Sequence, residues 1–173
     1  MQGPSDLDLH GLDCGIIFGS STGLGPKAAL LTYEIVVPVA SPAIACDLGA
    51  LTPATLPGSR LLQLESETGE WLDWKHYAEL AGLPRIDHAG GLIFNNYHVL
   101  IEAALSGDGI ALGWRPLIDR FLETGRLAIV GDTVVRQRWG YFLVQPAPPP
   151  ADCGFANLLA TIRADFAEAS HRE

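Results

Sequence analysis

Gly23-Leu24-Gly25-Pro26-Lys27-Ala28 opens like the glycine fingerprint of a dinucleotide-binding turn. The third glycine is missing, and a proline stands where helix amides should face a phosphate. The stretch also fails as a P-loop, since no glycine precedes Lys27 and the Ala28 methyl cannot hold magnesium. Ser20 and Ser21 follow an apolar run, yet no Gly-x-Ser-x-Gly elbow surrounds them to lift a nucleophile above a sheet. His76, His88 and His98 are separated singles with no carboxylate at a telling spacing. Glu65 and Glu67 are close together, but their polar surroundings favour solvation over general acid–base work. Triads are assembled in space, so an enzyme stays open as a distant reading, with no residue nominated as catalytic.

Metal chemistry finds little support either. Cys14, Cys46 and Cys153 are far apart and form no Cys-x-x-Cys pair. His10 and Cys14 have a ligand spacing, but no second pair completes a zinc site. We expect three ordinary reduced cysteines, two of them buried, with no metal and no cofactor.

Composition narrows the class further. The 173 residues are 48% hydrophobic and 18% charged, which suits a folded globular chain of one domain or two small lobes. Net charge is −9, from 20 acidic and 11 basic residues. DNA binding displaces counterions from phosphates with lysine and arginine, so this chain by itself is a poor DNA ligand. The longest apolar run, Ile35 to Ala45, is broken by two prolines and a serine and is too short to span a bilayer. Met1 to Asp13 has neither the basic start nor the apolar stretch of a signal peptide, which makes the cytoplasm the expected location.

The elements that would carry these residues follow from periodicity. Asp13 to Gly19 reads as a buried strand, Gly19 to Pro26 as a loop, and Leu30 to Val39 as a second strand broken off by Pro38 and Pro42. Asp47 to Pro57 is irregular, and Ser59 to Leu64 predicts a short strand. Trp71, Trp74, Ala78 and Ala81 recur at helical spacing up to Gly82. After a weak strand over Ile86 to Phe94, Asn95 or Asn96 caps a helix with Leu100, Ile101, Ala103, Ala104 and Leu105 on its apolar face. Gly109 to Gly113 returns as a strand, Pro116 starts a helix that Gly125 ends, and Leu127 to Val130 and Trp139 to Val144 are further strands. Cys153 to Ala169 is a last helix, with Phe155, Leu158, Leu159, Ile162 and Phe166 on one face. Strands alternating with helices favour an α/β fold with largely parallel sheets.

One region carries a family resemblance. Phe94-Asn95-Asn96-Tyr97, the run Glu102-Ala103-Ala104-Leu105-Ser106-Gly107-Asp108-Gly109-Ile110-Ala111-Leu112-Gly113, and Gly125-Arg126-Leu127 resemble the effector-binding (substrate-binding) domain of LysR-type transcription regulators. There an alanine-rich helix runs into a "GxGIAL" turn and strand. The branch of the glycine-cleavage activator fits best, through the late "GRL" step and the tyrosine-containing strand Gly140 to Val144. Asp13 to Gly19, Glu34 to Pro42 and Leu61 to Trp74 are similar to the family's "DlaIrxG", "E…PVxSP" and "LL…WxxW" stretches, in the same order. The likeness covers residues 12 to 168.

The resemblance implies an α/β, two-lobed fold like that of periplasmic binding proteins, with the first lobe incomplete. Residues 1–40 and 139–173 would form lobe one and residues 41–138 lobe two. The family's winged helix-turn-helix and the start of its sensing domain are not in the sequence, which points to a fragment truncated at the N-terminus. A small-molecule effector would lie in a cleft between the lobes, lined by Gly19, Ser20, Ser21, Ala40, Ser41, Asn95, Asn96, Tyr97 and Trp114. Its binding would be coupled to DNA held by the missing domain, in a homodimer or homotetramer. Each of these residues also has a plainer role: Asn95 or Asn96 as a cap, Ser20 and Ser21 as loop residues, Trp114 as a packed aromatic, Ser41 as a turn former before Pro42. A solute-binding protein of a transporter is the alternative that shares the fold.

Overall fold

The expected alternation of strand and helix is realised as seven strands and five helices in a computed structural model, which describes residues 12–20, 28–49, 52, 60–65, 71–84, 86, 91–145 and 153–170. The strands are β1 (Gly15–Ser20), β2 (Ala28–Ala40), β3 (Leu61–Leu64), β4 (Leu92–Phe94), β5 (Ile110–Arg115), β6 (Ala128–Ile129) and β7 (Val135–Val144). The helices are α1 (Pro42–Leu48), α2 (Trp74–Ala81), α3 (Tyr97–Ser106), α4 (Asp119–Glu123) and α5 (Cys153–Ser170). The chain divides into two compact units, residues 1–34 with 136–173 (unit 1) and residues 35–135 (unit 2).

Unit 2 takes the second half of β2 as one strand of its sheet. β5 lies antiparallel to it, with Val36 opposite Trp114 and Val39 opposite Ala111. β3 lies parallel to β5, and β4 parallel to β3, so these three strands end on one side. Val36, Val37 and Val39 are all buried, which requires cover on both faces of the sheet. The cover comes from amphipathic helices: Leu100, Ile101 and Ala104 face inward from α3, and Trp74, Tyr77 and Ala78 from α2. Both helices end at a glycine in the left-handed region, Gly82 and Gly107, as the sequence suggested. Gly109 has no room for a side chain, because an added Cβ would stand 2.4 Å from the Arg60 carbonyl oxygen. That carbonyl accepts the Ile110 N–H at 2.8 Å, which seats the start of β5 against β3.

Unit 1 is an antiparallel arrangement. β1 pairs with β7 from Gly15–Val144 to Ser20–Trp139, and β7 continues the sheet beside β2. Phe18 contacts both Trp139 and Tyr141 across the β1–β7 pair, and Phe166 of α5 also meets Tyr141. Phe142, Leu143 and Val144 are buried.

Several expectations change. Among the described residues antiparallel pairing is at least as prominent as parallel: β1–β7, β2–β5 and β2–β6 are antiparallel, and β3–β4 and β3–β5 are parallel. Pro38 does not break β2. A strand residue sends its N–H and C=O to the same side, and the Pro38 carbonyl accepts from Val130 N at 2.9 Å on the β6 side. The missing proline N–H therefore costs the β5 ladder nothing. Pro42 instead opens α1, a helix the proline-rich pattern had hidden, at the position where a missing N–H is harmless. Cys14 is half-buried and Cys46 exposed, so two buried cysteines are not found among the described residues. Leu158 is half exposed; on α5 Phe155 is buried, and Leu159, Ile162 and Phe166 are half-buried.

Candidate functional site

The carboxyl ends of the parallel strands β3, β4 and β5 come together in unit 2, and in α/β sheets such ends are where ligands bind. Leu64 is level with Phe94, whose carbonyl accepts the Glu65 N–H at 2.7 Å. The first turns of α2 and α3 start at this end because each helix follows one of these strands. At α2, Asp73 Oδ1 accepts the His76 N–H at 2.7 Å and lies 2.7 Å from His76 Nδ1. A carboxylate already sits on the positive end of that helix dipole.

α3 differs. Its cap is the neutral Asn96, whose Oδ1 accepts from His98 N at 2.9 Å and from Val99 N at 3.3 Å, and its first turn holds no acidic residue. The partial positive charge of this helix N-terminus is therefore uncompensated within the helix, a setting that favours an anionic or oxygen-rich group. Asn95 and Asn96 are both exposed there. Tyr97 fixes the turn to the sheet, its hydroxyl accepting the backbone N–H of Trp114 at 3.1 Å.

An aromatic trio underlies that turn. Trp71 stacks on Tyr97 with centroids 5.6 Å apart, and both meet Trp114 edge-on, at 4.9 and 5.2 Å. Trp114 is buried, and its indole N–H has no hydrogen-bond partner. Trp71 and Tyr97 are half-buried. Arg115, which ends β5, bonds to Asp119 at 2.7 and 3.2 Å.

The site residues expected from sequence are thus brought together only in part. Asn95, Asn96, Tyr97 and Trp114 share one end of unit 2. Ala40 and Ser41 lie at the other end: Ser41 Oγ is 3.5 Å from where a Gly107 Cβ would stand, at the C-terminus of α3. Four residues of strand separate Ala40 from Val36, the partner of Trp114, which amounts to about 13 Å. β2 runs on to Ala40, and Ser41 follows it directly as the N-cap of α1. An open groove of about 440 Å³ lies on that side, lined by Ile44, Asp47, Leu48, Arg60, Asp108 and Ile110 among others. Gly19 and Ser20 end β1 in unit 1, opposite Gly140 and Trp139, and Ser21 lies outside the described residues. Trp71 was missed as a site residue because its spacing to Trp74 placed it on the helix; it precedes α2 on irregular backbone. The "WxxW" stretch was the signal available.

This geometry is that of a small-molecule-binding α/β domain, and comparison with known proteins makes the class specific. Residues 2–167 match the LysR substrate binding domain, and the chain belongs to that family, whose members are transcription regulators and not enzymes. It is 29% identical over 134 residues to the glycine cleavage system transcriptional activator of Escherichia coli K12, covering 77% of this chain and 43% of that protein. It is 31% identical over 160 residues to the HTH-type transcriptional activator AmpR of Rhodobacter capsulatus, covering 92% of this chain and 52% of the relative. The chain thus spans about half the length of these curated relatives. The effector domain of the regulator AmpR of Pseudomonas aeruginosa superposes with a TM-score of 0.69 at 24% identity, over 98% of this chain and 81% of that one. The fold is the periplasmic-binding-protein-like fold of LysR effector-binding domains. No helix among the described residues is long and apolar enough to cross a membrane.

Proposed function

We propose that this chain is the effector-sensing part of a LysR-type transcription regulator and takes a small molecule at the α3 N-terminus of unit 2. The observation that supports this most is the uncompensated first turn of α3, capped by neutral Asn96 and set beside Trp114 at the strand ends, in a chain of the LysR substrate binding domain family. Asn95, Asn96 and Tyr97 offer the polar contacts, and the aromatic trio gives a rigid floor. Gly19, Ser20 and Ser21 are proposed as further effector-binding residues. In lobe terms, residues 1–40 with 139–173 and residues 41–138 are proposed as the two halves that rearrange when effector binds. DNA would be held by a winged helix-turn-helix in the rest of the protein, in a cytoplasmic homodimer or homotetramer. A thermal-shift screen of amino acids, carboxylates and quaternary amines tests the reading. A raised melting temperature with one class, abolished by Asn96→Ala and Tyr97→Phe together, supports it; no response to any compound at millimolar concentration counts against it.

A further inference from the structure

Two indoles are fully buried in unit 2, and they are not equivalent. Trp74 Nε1 donates to the Leu62 carbonyl at 2.9 Å. Trp114 Nε1 meets no acceptor, although only 1% of the residue is exposed. A tryptophan N–H has no second role as acceptor, and leaving it dry and unmade is unfavourable enough that folded proteins rarely tolerate it. Water is a poor candidate on the side where Trp114 borders a small void with Leu62, Leu64, Leu72, Trp74 and Leu100, because that void has no room for a water molecule. The indole instead lies under the first turn of α3: its ring meets Tyr97 edge-on, and its backbone N–H is bound by the Tyr97 hydroxyl. The ring that carries the buried donor therefore packs against Tyr97, the first residue of a helix whose N-terminus has no counter-charge. Donor and N-terminus are both relieved by the same chemical group, one that brings negative charge and more than one acceptor oxygen.

We propose that the Trp114 indole N–H is a specificity-determining donor for a carboxylate oxygen of the bound small molecule, whose other oxygen faces the α3 N-terminus. This rests on the site assignment above and adds the ligand class, a carboxylate-bearing metabolite, and the residue that reads it. The half-buried ring of Trp71 stands edge-on to Trp114 on backbone outside any helix or strand.

The test is an indole ¹H–¹⁵N spectrum of the full chain, in which each of the four tryptophans is assigned by a Trp→Phe variant. Acetate, glycine and succinate are titrated in, with tetramethylammonium chloride as the salt control. The proposal expects the Trp114 Nε1 proton to start at a position typical of a proton without an acceptor and to move downfield with at least one carboxylate but not with the control. Trp114→Phe removes the N–H together with part of the buried ring, so a thermal melt first checks that the variant is folded; folded, it should bind that carboxylate about tenfold more weakly, the loss of one buried hydrogen bond. Movement of the backbone amides of residues 95–99 with an unmoved Trp114 resonance overturns the donor role and leaves the site standing. Movement of neither overturns both. A Trp114 proton that is already hydrogen-bonded in the free protein, or that exchanges with water as fast as that of exposed Trp139, shows water to be the acceptor and also overturns the proposal.

Discussion

Unit 2 and unit 1 are built from the same ingredients, strands covered by amphipathic helices, but they bury different things. Among the described residues, the largest essentially fully buried side chains include Trp74, Trp114, Tyr77, Leu62, Leu100, Ile110 and Ile118 in unit 2. Leu143 and Glu34 are the members of that set in unit 1, and one of these is a carboxylate. Both units carry apolar side chains in the open, Ile16, Leu30, Tyr33 and Trp139 in unit 1 and Leu80, Ile93 and Val99 in unit 2, so the contrast lies in the buried set alone. Parallel strands with helices on both faces close a core around themselves, whereas an antiparallel sheet tolerates one wet face. Within unit 1, Ile16 is half exposed and Phe142 is buried.

The sharpest way to break this contrast is truncation in the two units. Leu100→Ala removes a fully buried side chain from the α3–sheet contact and should cost about 2–5 kcal/mol in urea unfolding. Leu158→Ala, on the half-exposed rim of α5, should stay within about 0.5 kcal/mol of the parent. Comparable losses would mean that the two units share one packing density.

A smaller effect probes unit 1 where it is tight. An added Cβ at Gly140 would come within 2.6 Å of the Thr32 carbonyl oxygen, a backbone atom that cannot swing away. At Gly113 the nearest atom is Ile118 Cδ1 at 2.7 Å, the end of a movable side chain. Gly140→Ala should therefore destabilise by about 1–3 kcal/mol and more than Gly113→Ala. The reverse order would place the more rigid contact in unit 2.

Smaller again is the α3 cap. Asn96→Ala removes the acceptor for His98 N and Val99 N and should cost about 0.5–2 kcal/mol, largely restored by Asn96→Asp. A stability unchanged by Asn96→Ala would mean that solvent satisfies those amides equally well.

The least visible difference, silent at neutral pH, lies in two tyrosines. Burial raises the Tyr77 phenol well above its ordinary 10.0, and its hydroxyl donates to the Thr133 carbonyl at 2.9 Å. Tyr141 is raised by burial first and by the Glu34 charge second. Folded values above the unfolded one mean that the stabilisation is complete below about pH 10 and is lost as pH climbs through the folded values. Alkaline spectrophotometric titration should show these two ionising late, with unfolding accelerating above about pH 10. Ionisation of both at the ordinary tyrosine value would contradict the burial described.

How much of this was legible beforehand depends on how local the cause is. Gly82, Gly107 and Asn96 were readable because a left-handed cap and an amide cap are decided within one helical turn. The apolar face of α3 was readable from its period. The continuation of β2 through Pro38 was not, because it depends on which side of the strand finds β6, a partner ninety residues away. Trp71 shares its spacing with Trp74, and periodicity has no means of telling a helix residue from one just before its cap. The site was half legible for the same reason. Asn95 to Tyr97 and Trp114 are linked by a helix–turn–strand unit, but placing Ser41 required knowing that β2 and β5 are antiparallel, which sends it to the far end of α3.

The central claim, that the α3 N-terminus is the ligand end of unit 2, turns on one affinity comparison. A carboxylate or amino acid that raises the melting temperature of the parent chain is titrated calorimetrically into the parent, Asn96→Ala and Ser41→Ala. The account predicts about tenfold weaker binding for Asn96→Ala, from the loss of a polar contact to the ligand, and parent affinity for Ser41→Ala. Parent affinity in Asn96→Ala together with a loss in Ser41→Ala would contradict it, moving the site to the other end of the helix beside the groove of Arg60 and Asp108.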